Sequence, residues 1–570
     1  MGKWFMALVT ALVLGEIARA QEAEAMRVVG NMTEGIEVVM RFMGVDSPEE
    51  LDAADVERLE DFLDRPLRIN MVAKSRLAAS GLLSPFQVAS LPDYRSRHGN
   101  VMSYAELAAV DGFGPEAVRK LRPFISLECH EIHTASMQPR HDLAVKTAGK
   151  VTGMLVEGDW NYGLKYRFRT DRLTASIGTS KPYSSESPWP ETYTGSLSVD
   201  FSKIRVIMGD FNARFGQGLA LWSGAFMTSL NTPDAFMKKP SGIAGTWSFT
   251  GSSALTGVAA EVPVGHLKIT ALMAVPGIKD MKKHPEKVSL LPAANLTYLT
   301  RYGHASLTYA GSMVSGDGAF CIRGVNLFSE TSYDFAERRL AVVCGTQFNA
   351  SEMMRLASLV RYTPYDIYQA ALSGSFRTSR IDSEGAFSVD AVCYPLGKGK
   401  QDSHSVQVKA LAAWECSLSP SFKLKLRLSE RFRTWGNRFR TDLRADFSYG
   451  DGPWLMNMRL NALGCVGTAF VGYLEEGRKT EEMSVYLRQG VFFVDDWEDR
   501  IYVYERDAPG SFNVPAMYGR GWFVSAVASA RINRMIRLYA RASYTGYQFM
   551  PDEKRKPGKA ELKLQAVFKL

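Results

Sequence analysis

The chain has 570 residues, a formal net charge of +8 and 46% hydrophobic residues. Beyond residue 20 no apolar run reaches the length of about 18 residues that a membrane-spanning helix needs, which excludes such helices there. The six cysteines are far apart and form no C-x-x-C pair, which excludes a zinc ribbon or redox pair of that spacing. A charge of +8 over this length does not require a nucleic-acid partner. The composition is compatible with a soluble protein or with a barrel whose strands are apolar on one face.

The first twenty residues have the three parts of a secretory signal peptide. Lys3 provides a basic start, Trp4–Leu14 is an apolar stretch, and small residues at Ala18 and Ala20 precede a cleavage site. We therefore predict a signal peptide over residues 1–20 and a mature chain that starts at Gln21.

Residues 21–66 have helical periodicity and are predicted as an N-terminal helical segment. Ser47 is a candidate N-cap, Pro48 occupies the first helical position, and Glu49 and Glu50 suit the positive end of the helix dipole. The apolar face of this predicted helix consists of Val56, Leu59, Phe62 and Leu63. Pro66 is predicted to end it.

An internal repeat with a spacing of 30 follows. Leu77–Leu91 (LAASGLLSPFQVASL) aligns with Leu107–Leu121 (LAAVDGFGPEAVRKL). In the second copy Gly112 and Gly114 permit a tight turn, and Pro115 can begin the next helix. The repeat predicts a compact all-α domain of two helix-hairpin-helix units over residues 67–127.

This domain resembles the tandem helix-hairpin-helix domains of competence DNA-receptor proteins. The resemblance implies DNA-backbone contact through exposed turn amides and a helix N-terminus, aided by nearby basic side chains. The implied contact residues are Gly112, Phe113, Gly114, Arg119 and Lys120. The first copy departs from the pattern, because Leu82 and Ser84 replace its two glycines. A structural or protein-docking role for the same domain is the alternative.

Residues 128–145 are predicted to be a linker. They hold the densest group of metal-ligand residue types, Cys129, His130, Glu131 and His133, with His141 following. The two histidines of C-H-E-I-H are three positions apart and do not form H-E-x-x-H, so the metalloprotease geometry is missing. We predict no metal and no cofactor.

From about residue 146 the hydrophobic period changes to 2, as in strands. Apolar side chains alternate with basic or polar ones along 164–169, 422–429 and 536–543. This pattern predicts a mainly β fold, a transmembrane antiparallel β-barrel over residues 146–570, with one face towards lipid and the other towards water. At roughly 25 residues for each strand and its connection, this length predicts about 16 to 18 strands. A soluble β-sandwich or propeller is the alternative.

The last residues form a candidate closing strand. One face is apolar, comprising Leu562, Leu564, Ala566, Phe568 and Leu570. Lys563, Gln565 and Lys569 lie on the opposite face. Outer-membrane barrels commonly close with such a strand, although an aromatic residue usually ends it.

Two further segments resemble a Gram-negative outer-membrane family that has an N-terminal helix-hairpin-helix domain and a C-terminal barrel. The first is Gly209-Asp210-Phe211 followed by FGQGLALWSG at 215–224, and the second joins YERD at 504–507 to YGRGW at 518–522. The first segment is predicted to form a strand, a tight turn and an inward-folded loop. A pore constriction and plain barrel architecture are alternative roles for it.

Catalytic patterns are sparse. Carboxylates cluster at Asp495, Asp496, Glu498, Asp499, Glu505 and Asp507 and are interpreted as loop residues, some paired with arginine. No G-x-S-x-G or P-loop motif occurs, so we predict that the chain is not an enzyme; a barrel hydrolase using these carboxylates is an alternative.

The predicted function is that of an outer-membrane channel or assembly platform. Its helical domain would lie in the periplasm and dock a periplasmic or outer-membrane protein partner, and its barrel would contact outer-membrane lipid. DNA binding or uptake, with non-specific DNA as the partner, is the competing function.

Overall fold

The computed structural model describes residues 32–570 apart from 52, 73, 130–138, 153–158, 171, 184, 202–203, 225–229, 251–253, 277–288, 301, 352, 364–366, 379–382, 396–403 and 550–557. The predicted signal peptide lies outside the described residues. The described chain forms a helical segment, residues 32–127, and a closed β-barrel.

Six α-helices make up the described part of the helical segment. They are α1 (Met32–Met43), α2 (Ala53–Asp64), α3 (Lys74–Ala79), α4 (Pro85–His98), α5 (Tyr104–Ala109) and α6 (Gly114–Leu121). A short parallel pairing of Leu67–Arg68 with Ile125–Ser126 joins the two ends of the segment from α3 to α6. None of the described helices is both long and apolar enough to cross a membrane.

The helix pairs α3/α4 and α5/α6 follow the repeat seen in the sequence. Leu77 and Leu107 occupy matching positions in α3 and α5, and both are fully buried. In the first pair Leu82 is also fully buried, and Ser84 caps α4 by accepting a hydrogen bond from the Gln87 amide at 3.3 Å. The residues that replace the two glycines therefore serve packing and capping.

The predicted start with Ser47 as N-cap and Pro48 in the first position is confirmed, but it begins a 3-10 turn and not the predicted α-helix. Pro48–Glu50 form a single 3-10 turn, and α2 begins only at Ala53. Ser47 makes no side-chain cap, and its hydroxyl instead accepts a hydrogen bond from Arg444 of the barrel at 2.9 Å. The Ser47 side chain does not cap the turn because its hydroxyl donates to the Glu49 carboxylate and accepts from the charged Arg444 side chain.

The barrel strands described by the structure are β1 Arg140–Thr152, β2 Asp159–Arg169, β3 Leu173–Lys181, β4 Thr192–Asp200, β5 Arg205–Arg214, β6 Leu255–Val264, β7 Leu267–Val275, β8 Leu291–Leu299, β9 Gly303–Ala310, β10 Met313–Ile322, β11 Val325–Asp334, β12 Arg339–Ser351, β13 Met354–Thr363, β14 Ile367–Thr378, β15 Ser383–Tyr394, β16 Ser405–Ser419, β17 Phe422–Arg433, β18 Phe439–Asp451, β19 Trp454–Gly464, β20 Thr468–Lys479, β21 Met483–Val494, β22 Gly519–Arg531, β23 Ile536–Phe549 and β24 Lys559–Lys569. Each pairs with its neighbours in an antiparallel arrangement, and β24 pairs with β1 to close the ring. The first strand begins at Arg140, inside the stretch predicted as a linker.

The β-barrel class is confirmed, but the predicted number of 16 to 18 strands is wrong, since the described chain forms 24. The estimate of residues per strand was too high because most connections are short. At the barrel end that holds Arg140 and Lys569, each connection between strands has only two to four residues. We call this end the turn end; short turns are typical of the periplasmic end of outer-membrane barrels.

Two long connections start from the opposite end, which we call the loop end. The first inserted loop, residues 215–254, joins β5 to β6 and includes a short strand, Gly242–Gly245, that pairs with β5. The second inserted loop, residues 495–518, joins β21 to β22. Both loops contribute residues to contacts inside the barrel.

The two faces of the barrel differ in polarity as the alternating pattern predicted. Large apolar side chains on the outer face are exposed, including Ile177, Leu307, Leu443 and Leu562. Inward-facing residues are polar or charged and are covered from within, as for Lys165, which is 3% exposed. An apolar exterior of this kind suits lipid, as in transmembrane β-barrels.

Candidate functional site

The helical segment lies inside the barrel, because its side chains contact inward-facing residues on widely separated strands. Asp61 binds Arg167 of β2 at 2.7 Å, whereas Glu50 binds Arg427 of β17 at 2.9 Å. Asp64, at the C-terminal end of α2, binds a lysine near the end of β24 at the turn end. The segment that we predicted to be a domain in the periplasm therefore lies in the lumen, which it enters from the turn end.

The 3-10 turn of the helical segment is held by basic residues from three adjacent strands. Asp46 binds Arg427 at 2.7 Å, and Glu49 binds Arg459 at 2.7 Å and Arg444 at 3.4 Å. Burial alone would raise the pKa of Asp46, but nearby lysine and arginine side chains on β17 lower it to about 2. Asp46 is therefore ionised at any physiological pH.

Helix α2 presents a second set of carboxylates to the opposite side of the lumen. Asp55 binds Arg214 of β5 at 2.8 Å, Glu57 binds the Lys165 ammonium group, and Asp61 binds Arg167. Burial opposes ionisation of Asp61, yet the arginines of β2 hold its pKa well below its usual range. The contacts of α2 and of the 3-10 turn are thus ionic on both sides of the barrel.

Sequence reasoning missed this charge complementarity. Residues 46–64 read DSPEELDAADVERLEDFLD and are strongly acidic, while the inward face of several strands is lined with lysine and arginine. Both features are visible in the sequence. The acidic residues were explained as part of a helix start, and the basic residues were explained as the polar face of alternating strands. A search for oppositely charged segments within one chain could have joined them.

Glu60 differs from the other acids of α2. Burial and the neighbouring Glu57 carboxylate raise its pKa to about 7, although Lys165 and the backbone amide of Gly510 favour its ionised form. Gly510 belongs to the second inserted loop and has a φ of 73°. A β-carbon there would approach the Glu57 carboxylate and the Lys165 amine to 2.9 Å, so this contact between loop and helix requires glycine.

We expect Glu60 to make the protein less stable as the pH rises. Its pKa is about 7 in the folded chain and about 4.5 when unfolded, so its stabilising contribution is complete below pH 4.5 and lost as the pH rises through 7. Glu60→Gln should remove about 2 kcal/mol of this pH dependence from the free energy of unfolding in urea between pH 5 and pH 8. Asp93→Asn, on an exposed part of α4, is the matched control. Equal pH slopes for the parent and Glu60→Gln would contradict the assignment.

The turn between α5 and α6 has the conformation that its glycines predict. Gly112 and Gly114 have φ values of 84° and 69°. A β-carbon at Gly112 would meet the ring of Phe86 at 2.5 Å, and the Gly112 carbonyl accepts a hydrogen bond from Gln87 at 2.8 Å. Phe113 is buried in the core of the helical segment. The Gly112 turn therefore packs against α4, the second helix of the first repeat.

The basic residues of α6 have acidic partners. Arg119 lies 3.3 Å from Glu384 at the turn end of β15, and Lys120 binds Asp234 of the first inserted loop. Glu116, on the same helix, lies 3.6 Å from Arg355 of β13. In this conformation the side chains predicted to contact DNA make ion pairs with the barrel and its first inserted loop.

The first inserted loop is anchored by a carboxylate on the barrel wall. After β5 the chain turns at Gly216, and the amides of Gln217, Leu219 and Ala220 donate hydrogen bonds to Glu330 of β11 at 2.6, 3.1 and 3.3 Å. This is the inward-folded loop predicted from FGQGLALWSG. Further along, Asn231 donates to Glu50 at 2.7 Å, which joins the loop to the helical segment.

The second inserted loop presents charges of alternating sign to complementary wall residues. Glu505 binds Arg541, Arg506 binds Glu475 at 2.8 Å, and Asp507 binds Lys563 at 2.6 Å. These ion pairs account for the YERD motif. The loop also reaches the helical segment, since the Tyr504 amide donates to Glu49 at 2.9 Å.

The remaining candidate ligands have structural partners where they are described. Asp499 is 1% exposed and accepts hydrogen bonds from the amides of Val466 and Gly467, whereas Asp495 forms an exposed pair with Arg520. Residues 130–138, which hold most of the Cys-His-Glu cluster, lie outside the described residues. Among the described residues no group of three or more His, Cys, Asp or Glu is placed to hold a metal.

Comparisons with known proteins do not identify a relative of this chain. No protein-family model matches the chain, and no curated protein matches it. The solved structures similar to it include Pseudomonas aeruginosa OccK11 (OpdR), with 8% identity, a TM-score of 0.30 and coverage of 76% of this chain and 96% of that one. A mutant of the ferric enterobactin receptor PfeA from Pseudomonas aeruginosa has 8% identity, a TM-score of 0.42 and coverage of 76% and 81%. The copper transporter OprC has 8% identity, a TM-score of 0.39 and coverage of 78% and 81%.

Proposed function

We propose that this protein is an outer-membrane channel or transporter whose lumen is closed by its own helical segment and two inserted loops. The supporting observation is that the helical segment has a core of its own. The buried apolar residues of that core all lie between residues 36 and 125, and no described barrel-strand residue belongs to it. A separately packed body inside a barrel is suited to closing the lumen and to moving within it.

The contacts between this body and the wall are ionic, which supports a closure that can be released. Buried ion pairs lose much of their Coulomb energy to desolvation, so they define a position more than they add net stability. The wall side chains Arg427, Arg444 and Arg459 are nevertheless largely covered by the carboxylates of the helical segment. Removal of those carboxylates would leave Arg427 without its carboxylate partners, at a cost of about 3–5 kcal/mol, and would leave Arg444 and Arg459 with the wall residue Asp446 alone.

Conductance in planar lipid bilayers tests the proposal. The parent protein should stay closed, and the triple variant Asp46→Asn, Glu49→Gln, Glu50→Gln should show discrete open steps because it no longer holds the 3-10 turn against β17–β19. Both proteins must first show the same heat-modifiable migration, which reports a folded barrel. The control is Asp93→Asn, which removes an acid that faces away from the wall and pairs only with Arg97 in the described structure.

An open parent, or a triple variant as closed as the parent, would contradict this function. In the first case the helical segment does not seal the barrel, and in the second its ionic contacts do not hold it there. The same recordings test the alternative of an assembly platform, which predicts no conductance in any variant.

We further propose that the residues predicted to bind DNA instead fasten α6 to the barrel. Lys120 is engaged with Asp234, and Arg119 is engaged with Glu384, so DNA would have to displace both carboxylates. A periplasmic protein partner would instead meet the exposed end of α4 and the residues after it, where Met102 is 71% exposed.

A further inference from the structure

A large cavity lies between the helical segment and one side of the barrel wall. It has a volume of about 960 Å³ and runs from α1 and α6 to the inner face of strands β12–β21. We call it the vestibule. On the other side of the lumen, α2 is bound to the wall of β2 and β5 through Asp61 and Asp55. The space around the helical segment is therefore asymmetric.

The vestibule is open at the turn end. Of its lining residues, Arg377, Glu384 and Lys423 lie close to the turns and are exposed. Those nearest the middle of the barrel are buried, as for Glu475 and Arg488, which are 3% and 5% exposed. Exposure thus falls from the turn end inwards, which indicates a water-accessible space that ends within the barrel.

The second inserted loop closes the inner end. Tyr504 and Arg506 of this loop line the vestibule, and Arg506 is fixed by Glu475, which Arg488 also binds at 2.6 Å. The loop comes from the loop end, so withdrawing it would extend the vestibule towards the outside. The helical segment would not have to leave the barrel.

The anchors of the second inserted loop lie mostly on the wall. Glu505 and Asp507 bind Arg541 of β23 and Lys563 of β24, whereas the helical segment contributes the Glu49 carboxylate that accepts from the Tyr504 amide. Breaking these two ion pairs would therefore loosen residues 505–507 from the wall, while the packing of Tyr504 and Phe512 against the helical segment and the ion pairs of α2 with the barrel remain.

The lining of the vestibule favours small hydrophilic anions. It includes eleven lysines and arginines against eight aspartates and glutamates. Lys423 is exposed, lies on the inward face of β17 together with Lys425, and makes no ion pair among the described residues. A polar lining with an excess of positive charge raises the local concentration of anions.

We propose that the vestibule is a preformed half of the conduction path for small hydrophilic anions, and that withdrawal of the second inserted loop opens it. This inference rests on the proposed channel function, and it assigns the gate to residues 504–507 while the helical segment stays in place. The path then runs along the inner face of β12–β21.

The test uses the full-length protein in planar bilayers. The variant Glu505→Gln with Asp507→Asn removes the wall anchors of the loop, and we expect it to change the closed baseline into open steps. In this variant Lys423→Cys adds a thiol to the vestibule, and a bulky methanethiosulfonate reagent should cause loss of most of that conductance. The reagent should have little effect on the same variant without the added cysteine, or with Arg172→Cys, which lies in a turn at the same end beyond β2.

The outcomes separate the gate from the general function. If the loop variant stays closed while the triple variant of the 3-10 turn conducts, the gate assignment is wrong and the channel function stands. If the loop variant conducts but the thiol reagent does not block it, the path runs elsewhere. If neither variant conducts, both proposals fail. Should the loop variant not fold, Lys563→Gln removes the Asp507 anchor from the wall side.

The ion selectivity of the open loop variant tests whether the conducted solutes are anions. With a potassium chloride gradient across the bilayer, the reversal potential of the open loop variant should shift towards that of chloride. A shift towards potassium would overturn the assignment of anions as the solute class.

Discussion

Glu475→Ala is expected to release the second inserted loop from the barrel wall and to destabilise the protein by about 3–5 kcal/mol. Glu475 is 3% exposed and binds both Arg488 and Arg506, each 5% exposed. Its removal leaves two buried guanidinium groups without their carboxylate. The effect should appear as a lower free energy of unfolding in urea and as tryptic cleavage after Arg506.

The matched control is Asp495→Ala. Asp495 pairs with Arg520 in the same loop region, at 2.6 Å, but both side chains are about half exposed. An exposed ion pair contributes about 0–1 kcal/mol, so this variant should resemble the parent in both measurements. Equal losses in the two variants would mean that burial does not decide the strength of the Glu475 contact.

Arg541→Ala should destabilise the protein to a similar extent, and this effect should become smaller in acid. Arg541 is 2% exposed, binds Glu505 and lies 2.7 Å from Glu561 and 4.0 Å from Asp507. Its loss leaves three carboxylates close together with the lysines Lys563 and Lys150 as their cationic partners among the described contacts, at a cost of about 3–5 kcal/mol at neutral pH.

Acid should partly restore the Arg541→Ala variant, because protonation removes the repulsion between its carboxylates. The measurement is the free energy of unfolding of the parent and the variant at pH 7 and pH 5, with Arg520→Ala as the exposed control. The difference between parent and Arg541→Ala should shrink at pH 5. A difference that stays constant or grows would show that packing, and not charge, explains the role of Arg541.

Together these contacts describe two bodies that fill the lumen from opposite ends. The helical segment enters from the turn end, the second inserted loop enters from the loop end, and they meet where the Tyr504 amide donates to Glu49. The same carboxylate binds Arg459 of the wall. The Glu49 carboxylate of the helical segment thereby contacts both the second inserted loop and the wall.

Strand alternation and turn chemistry could be predicted from local sequence. Leu164 and Lys165 alternate outward and inward as expected, because each inward lysine or arginine must avoid lipid. The glycine turn at Gly112 also has the positive φ that its sequence predicts. The predicted number of strands was too low, because that number depends on the lengths of the connections between strands. The alternating pattern does not show where a short connection lies, as at Gly265 and Gly452, each of which lies in a two-residue turn.

The partners of the charged residues could not be predicted in the same way. Glu49 was interpreted as part of a helix start, yet it binds Arg459, which is 410 positions away in the chain. Arg119 and Lys120 were interpreted as DNA contacts, yet they pair with carboxylates of the barrel and its first inserted loop. Local periodicity reports which face of an element is polar and not which distant polar group it meets.

The amino-acid sequence by itself determined the barrel class, the helix repeat and the polarity of each strand face, because these depend on spacing within a few residues. Only the tertiary structure decided that the acidic residues 46–64 lie inside the barrel against its basic wall. That arrangement depends on closing the ring of strands, which brings Arg167 and Arg427 around one lumen. Their charges are then compensated by the segment whose sequence had suggested an independent docking domain.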